Sequence, residues 1–418
     1  MTLFGTPRLG ARAAAVLVDE FARQAGPKSA VLVGVEPDSV VLTHAVNALV
    51  PGDTLTLVAA GPGLVPVDEA ELTARVAAEG SWVAQRVTVV ATLADAKAAD
   101  AVLVGQPVGP DEALPLAESL HDAVAPGGAL CLASVALPGG GTPDLPAHTA
   151  QQAAVGELAA FGEVATDLVL LNRPPVRVHR MRRTPVDLVV AERMEPAFRP
   201  SSVPLTGQWR IDSNGVAAAA ICLGAAALAR WARPDSKLWL APAAAAPVVA
   251  AFFRDPERIG PEDPRAVVSG ADGKVLAVER LSDTRFGPTE EWLRISVFLS
   301  VFDVHVNRSP VAGRVVDIIR EEGGYAPAMN PSAEHNVAAY TVLETTHGPV
   351  VVAQRTGLVA RRIVNRARPG TLLTRGERYG LIRFGSRTDV YLPGEAAVPT
   401  VAPGERVVGG ESVIARWR

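Results

Sequence analysis

The chain has 418 residues, 48% apolar and 20% charged, a globular composition that excludes a largely disordered protein. Its 40 basic and 44 acidic residues leave a formal charge of −4, so no global field draws it to nucleic acid. Two cysteines, Cys131 and Cys222, support neither a CxxC-type metal cluster nor a disulfide framework, and a reducing cytoplasm is the natural compartment.

The opening segment MTLFGTPRLGARAAAVLVDEF has no basic start followed by a long apolar core, and reads as no signal peptide. Over residues 1–200, strand-like runs at 30–35, 53–60, 85–92, 100–107 and 129–137 alternate with alanine-rich, charge-decorated helical segments such as 68–80 and 112–124. That alternation predicts a doubly wound α/β layer with a parallel sheet. Residues 168–194 read as an antiparallel pair that closes it. The phrase VAPGGALCLASV (124–135) resembles the late strand of a class I methyltransferase-like Rossmann domain, entered through its PGG turn. The first strand, AVLVGV, runs into EPDSVV with Gly34 as the only glycine near the turn. The GxG that lets backbone approach a nucleotide is missing. The expectation is a domain that has lost catalysis and S-adenosylmethionine, and serves as a scaffold, docking or regulatory module.

Residues 195–213, with three prolines, read as a linker. Two uncharged runs follow, 215–229 and 238–253, the second interrupted by Pro242 and Pro247. Both fall short of the roughly 20 apolar residues of a spanning helix. Linker and runs, 201–251, are expected to form an apolar helical hairpin, either buried or lying at a membrane interface. From 252 to 418 short β-branched runs separated by glycine turns predict a β-rich domain. A basic cluster, Arg361, Arg362, Arg366 and Arg368, reads as a solvated face or as a surface for anionic headgroups.

Five stretches of this domain come in a telling order: FFRDPER (252–258), SGADGKV (269–275), FLSVFDVHVNRSPVAG (298–313), GLVARRIV (357–364) and RGERYGLIRFGSRTDVYLP (375–393). Together they resemble the phosphatidylserine decarboxylase family in its short prokaryotic branch. The resemblance covers about residues 250–393. It implies self-cleavage at the Gly385–Ser386 bond, with Ser386 becoming a covalent pyruvoyl group at the head of a 33-residue chain. The pyruvoyl carbonyl then forms a Schiff base with the amine of an amino acid and accepts the electron pair released with carbon dioxide. The residue types suit this chemistry. Glycine removes the Cβ that would obstruct attack on its carbonyl, and a serine ester can eliminate to dehydroalanine and hydrolyse to a ketone.

The resemblance also implies an activating pair for Ser386: Asp272 of the DG motif and His305 of FDVHVNRSP. Asp303, two residues before His305, would share its strand face and could orient it. Where the longer family branch has a second histidine this chain has Arg308, which fits the short branch. His335 and His347 are further candidates in the domain. Arg355 in QRTGLVARR departs from the family's apolar residue, which reads as an altered substrate or as surface drift. The implied activity is decarboxylation of phosphatidylserine to phosphatidylethanolamine by a cytoplasmic protein, peripheral at the inner face of the membrane and self-associating, with no metal and no nucleic acid. Two alternatives stay open: the same chemistry on a soluble amino acid or conjugate, and a non-catalytic scaffold.

Overall fold

The first strand alternates apolar residues toward two different cores. Ala30 and Leu32 of the strand Ser29–Val33 face one cluster and Val31 and Val33 the other, as a parallel sheet covered on both sides requires. A computed structural model describes residues 7–109, 111–136, 161–184, 186–206, 209–286, 291–358, 362–383 and 386–418. It divides into two units, residues 1–200 and 201–418.

The first unit runs α1 (Ala11–Ala22), β1 (Ser29–Val33), α2 (Val40–Asn47), β2 (Thr54–Ala60), α3 (Glu69–Ala78), α4 (Ser81–Ala84), β3 (Val87–Thr92), β4 (Ala99–Val104), α5 (Ala113–Leu120), β5 (Val124–Val135), β6 (Phe161–Val169), β7 (Val176–Arg183) and α6 (Leu188–Arg193). Its sheet has the order β3-β2-β1-β4-β5-β7-β6. β1 to β5 are parallel, and β7 is antiparallel to both β5 and β6. The doubly wound layer is therefore present, with strand order reversing between β1 and β4. The closing pair is β6 and β7. The DLVVAER stretch that completed the pair in the sequence reading is instead helix α6, because the Asp187 carboxylate accepts the Val189 N–H as its N-cap.

The second unit begins with a hairpin, β8 (Ser202–Thr206) and β9 (Trp209–Asp212), where the sequence suggested a linker. Asp212 then caps α7 (Ser213–Ala232) through the Asn214 N–H, and α8 (Leu240–Phe252) returns against it. This helical pair is not buried. Ile221, Leu223, Leu228, Trp231 and Val248 are all more than half exposed. The β-rich part follows: β10 (Ala266–Val268), β11 (Gly273–Leu281), β12 (Trp292–Leu299), β13 (Val306–Arg308), β14 (Gly313–Glu321), β15 (Ala338–Thr345), β16 (Gly348–Arg355), β17 (Ile363–Asn365), β18 (Leu372–Leu373), β19 (Arg378–Ile382), β20 (Ser386–Pro393), β21 (Ala397–Pro399), β22 (Arg406–Val407) and β23 (Val413–Trp417). An eight-stranded sheet, β18-β14-β15-β16-β20-β12-β11-β22, is joined by the three-stranded sheets β10-β23-β21 and β13-β19-β17.

Period-2 alternation gives the large sheet two different faces. Leu293, Ile295 and Val297 of β12, Val350 and Val352 of β16, and Val390 and Leu392 of β20 enter one apolar core. Trp292, Val351, Ala353 and Tyr391 enter another. Ser386 and Thr388 continue the first face of β20, and Arg387 and Asp389 the second.

Candidate active site

Ser386 is the first residue of β20 and is fully buried. Its Oγ has no hydrogen-bond partner among the described residues. Gly385, the other half of the expected scissile bond, lies outside the described residues, as does Arg361 of the basic cluster. β20 is hydrogen-bonded on both sides, with Ser386 opposite Leu299 of β12 and Arg387 opposite Arg355 of β16.

His305 follows in the segment after β12. Leu299 lies opposite Ser386, and six residues on, the His305 carbonyl accepts the Ile382 N–H at 3.3 Å. Segments 299–305 and 382–386 are thus tied at both ends. His305 is buried, with its ring 4.2 Å from that of Phe252 between centroids. Its Nδ1 donates to the Asp303 carbonyl at 2.9 Å, which leaves Nε2 as the basic nitrogen. Burial holds its pKa down at about 4, against the pull of Asp303, so the imidazole is neutral at physiological pH. Asp303 orients His305 through its backbone oxygen. Its carboxylate accepts from the N–H and Oγ of Ser300 at 2.8 and 2.7 Å and pairs with Arg406.

Asp272 stands further off. It precedes β11, two strands from β20, since Lys274 lies opposite Phe298 and Phe298 opposite Arg387. Its Oδ1 accepts the Gly409 N–H at 2.8 Å and its Oδ2 the Arg258 guanidinium at 2.9 Å. Burial pushes its carboxyl up from the usual range, and the neighbouring Asp303 adds to this, while the Gly409 N–H and Arg258 oppose. The glycine of the DG motif is sterically required: a Cβ on Gly273 would stand 2.0 Å from the Phe298 oxygen.

Several site residues carry no family-derived expectation. Asn307 of β13, Gln354 of β16 and Thr388 are buried on the face of Ser386 and linked: Gln354 Nε2 donates to Asn307 Oδ1 at 2.8 Å, and Asn307 Nδ2 to Thr388 Oγ1 at 3.3 Å. FFRDPER proves to be a set of supports. Phe252 packs on His305, Arg254 reaches the Phe302 carbonyl, and Arg258 holds Asp272. Asp255 pairs with Arg378 and Arg308. Arg308 occupies the place of the second histidine and is buried. Its guanidinium donates to the carbonyls of Gly376 at 3.0 Å and Pro256 at 2.8 Å, and burial with Arg378 alongside lowers its pKa to about 10. The motif's charged residues were visible in the sequence, but their partners were not.

Arg355 is not a site residue. It is wholly buried on the opposite face of the sheet, pairing with Asp389 at 2.8 Å and donating to Tyr340 Oη at 2.8 Å. Neither reading of it as substrate-altering or as surface drift fits. His347 lies in the turn between β15 and β16, stacked on Trp417 at 4.5 Å. His335 lies with Arg285, Glu321 and Glu334, on the Arg355 side. Among the described residues no group of His, Cys, Asp and Glu could hold a metal ion.

A profile of the phosphatidylserine decarboxylase family matches residues 246–415. The chain is 48% identical over 167 residues to the phosphatidylserine decarboxylase proenzyme of Pelobacter propionicus, covering 40% of this chain and 74% of that protein. It is 45% identical over 168 residues to the proenzyme of Carboxydothermus hydrogenoformans, covering 40% of this chain and 78% of that one. The chain belongs to the phosphatidylserine decarboxylase family. It is thus related to carboxy-lyases, and Ser386, His305 and Asp272 fall within the matched region. Solved structures similar to the chain include the O-methyltransferase TomG from Streptomyces achromogenes, at 13% identity and TM-score 0.30, covering 42% of this chain and 79% of that one. TrmN from Thermus thermophilus has 15% identity and TM-score 0.30, covering 42% and 50%.

Beyond this family region, side chains pack closely on the backbone at the strand-order reversal of the first unit. A Cβ on Gly34 would meet Gln106 Nε2 at 2.6 Å and Leu64 Cδ1 at 2.9 Å, and one on Gly61 would meet Leu64 Cδ1 at 3.2 Å. Leu64 and Gln106 occupy the space that a nucleotide's close approach needs, so these residues do not fit S-adenosylmethionine.

Proposed function

We propose that this chain is a proenzyme that cleaves itself between Gly385 and Ser386 and then decarboxylates phosphatidylserine to phosphatidylethanolamine. The observation that carries this reading is Ser386 itself: a fully buried hydroxyl without a partner among the described residues, at the head of a central strand. Burying an unpaired hydroxyl is costly, and a reactive role accounts for the cost.

His305 Nε2 takes the Oγ proton as the oxygen adds to the Gly385 carbonyl. The peptide nitrogen leaves as an amine, and an ester replaces the amide. Loss of the Ser386 α-proton then expels the Gly385 carboxylate, and hydrolysis of the resulting dehydroalanine releases ammonia and leaves the ketone. Asp272 acts on the electrostatics of the site through Asp303 and Arg258 rather than by a hydrogen bond to His305 Nδ1, which the Asp303 carbonyl already holds. The residues around Ser386 fit a pyruvoyl group: Asn307, Gln354 and Thr388 supply buried polar atoms on its face, and His305 a neutral base. When formed, that group supplies an electron sink for the decarboxylation of an amino-acid amine.

A lipid substrate is supported by the exposed apolar helices α7 and α8, whose base, Phe252 and Phe253, packs with Leu381 of β19 beside His305. Residues Ser213–Ala232 form the one helix long and apolar enough to cross a membrane among the described residues. Peripheral attachment through this pair would present the site to a headgroup. The test is carbon dioxide release from phosphatidylserine vesicles against free L-serine. Turnover of the lipid with none of serine supports the reading; the reverse preference assigns the same chemistry to a soluble amino acid.

A further inference from the structure

Gln354 is fully buried, and while its Nε2 donates to Asn307, its Oε1 has no hydrogen-bond partner among the described residues. An acceptor kept dry and unpaired is costly, yet the fold makes room for this amide. A Cβ on Gly380 of β19 would stand 2.9 Å from Gln354 Nε2. The strand pattern says what the amide is next to. Gln354 lies opposite Thr388, and Ser386 is two residues before Thr388, so all three side chains share a face. Gln354 is therefore the diagonal neighbour of Ser386, with backbones roughly 7–8 Å apart, within reach of a long side chain.

We propose that Gln354 Oε1 accepts a hydrogen bond from the α-amino group of the substrate and holds its nitrogen against the carbonyl carbon that Ser386 becomes. The role rests on the decarboxylase reading above. An amino-acid amine arrives as an ammonium, with donors only, and matches an unpaired acceptor. It must lose a proton before its lone pair can react. A carboxylate at position 354 would favour the charged ammonium, whereas an amide oxygen accepts an N–H with no net charge. His305, neutral and hydrogen-bonded through its carbonyl to Ile382 of β19, takes the proton that the ammonium gives up. Asn307 and Thr388 position the amide from its other end.

The test uses the full chain and two variants, Gln354→Met and Gln354→Glu. Three readouts are needed: the cleaved fraction by intact mass, the fraction of small chain carrying the lipid amine after treatment with phosphatidylserine vesicles and cyanoborohydride, and kcat and KM across pH. Both variants should cleave. Gln354→Met should lose amine capture and show KM raised roughly 10- to 100-fold, the range for a lost hydrogen bond to a charged group. In Gln354→Glu the pH optimum should move upward. Should Gln354→Met fail to fold by thermal melting, Gln354→Asn, with the amide withdrawn by one methylene, replaces it. Wild-type capture and KM in a folded Gln354→Met or Gln354→Asn overturn the proposal. A folded but uncut variant also overturns it, and moves Gln354 to the cleavage step. If the wild type itself is cut but captures no amine, the decarboxylase reading fails and takes this role with it, an outcome distinguishable from failure of the variants alone.

Discussion

His305 is the residue on which the site's pH behaviour turns. Its imidazole is buried against Phe252 and held near a pKa of about 4, below the ordinary 6.5. It is therefore a free base across the physiological range, and the rate of self-cleavage should be flat from pH 8 to about 5 and fall only as pH approaches 4. The appearance of the small chain after a pH jump measures this, and a half-maximal rate near 6.5 would refute it. Stability follows the same shift. Between pH 6.5 and 4 the unfolded chain binds a proton at this position that the folded chain refuses, so stability falls as pH drops through that window and is fully present above it. The depression is worth about 3 kcal/mol. A His305→Gln variant should lose that much less than the wild type between pH 7 and pH 4 in urea titrations. The family resemblance led to His305, Asp272 and Ser386, because five motifs in order mark the positions. The supports were not legible. Arg258 meets Asp272, and Asp255 meets Arg308 and Arg378, across 14 to 123 positions of chain, and nothing in FFRDPER states its partners. Arg355 misled for a similar reason: its charge suggested an altered site, while alternation on β16 sends it to the other side of the sheet.

At the scale of elements, β20 explains how a cut chain stays together. After cleavage, residues 386–418 would hold β20 between β12 and β16, β22 on β11, and β23 on β10, so ladder hydrogen bonds replace the missing covalent link. The helices α7 and α8 are the other decisive element. Their composition was legible, but short, alanine-rich runs argued for a buried pair over an interfacial one, and the exposed side chains correct this. Exposure of Ile221 and Leu228 at 73% and 62% favours the interface. A variant with Ile221→Lys and Leu228→Lys should sediment with phosphatidylserine vesicles several-fold less than the wild type, because charge cannot enter the acyl boundary cheaply, while cleavage proceeds unchanged. Equal sedimentation would mean that the membrane is met elsewhere. The misread helix α6 has a local cause: DLVVAER has the β-branched texture of a strand, and the Asp187 cap decides it.

On the whole-molecule scale the chain joins two units of different logic. The first has the doubly wound sheet that its alternating strands predicted. Leu64 and Gln106 pack against the Gly34 backbone where a nucleotide would approach. Calorimetric titration with S-adenosylmethionine should give no binding at millimolar ligand; binding there would show that these side chains withdraw. The second unit carries the family match and all the residues proposed for catalysis. Everything in the functional account depends on whether its chain breaks before Ser386. The deciding measurement is the intact mass of the purified protein beside a Ser386→Ala variant. The wild type should give two chains, split between Gly385 and Ser386 with the small one blocked at its N-terminus, and the variant a single whole chain. A folded wild type that remains one uncut chain, or a variant that is cut all the same, would contradict self-cleavage at this bond.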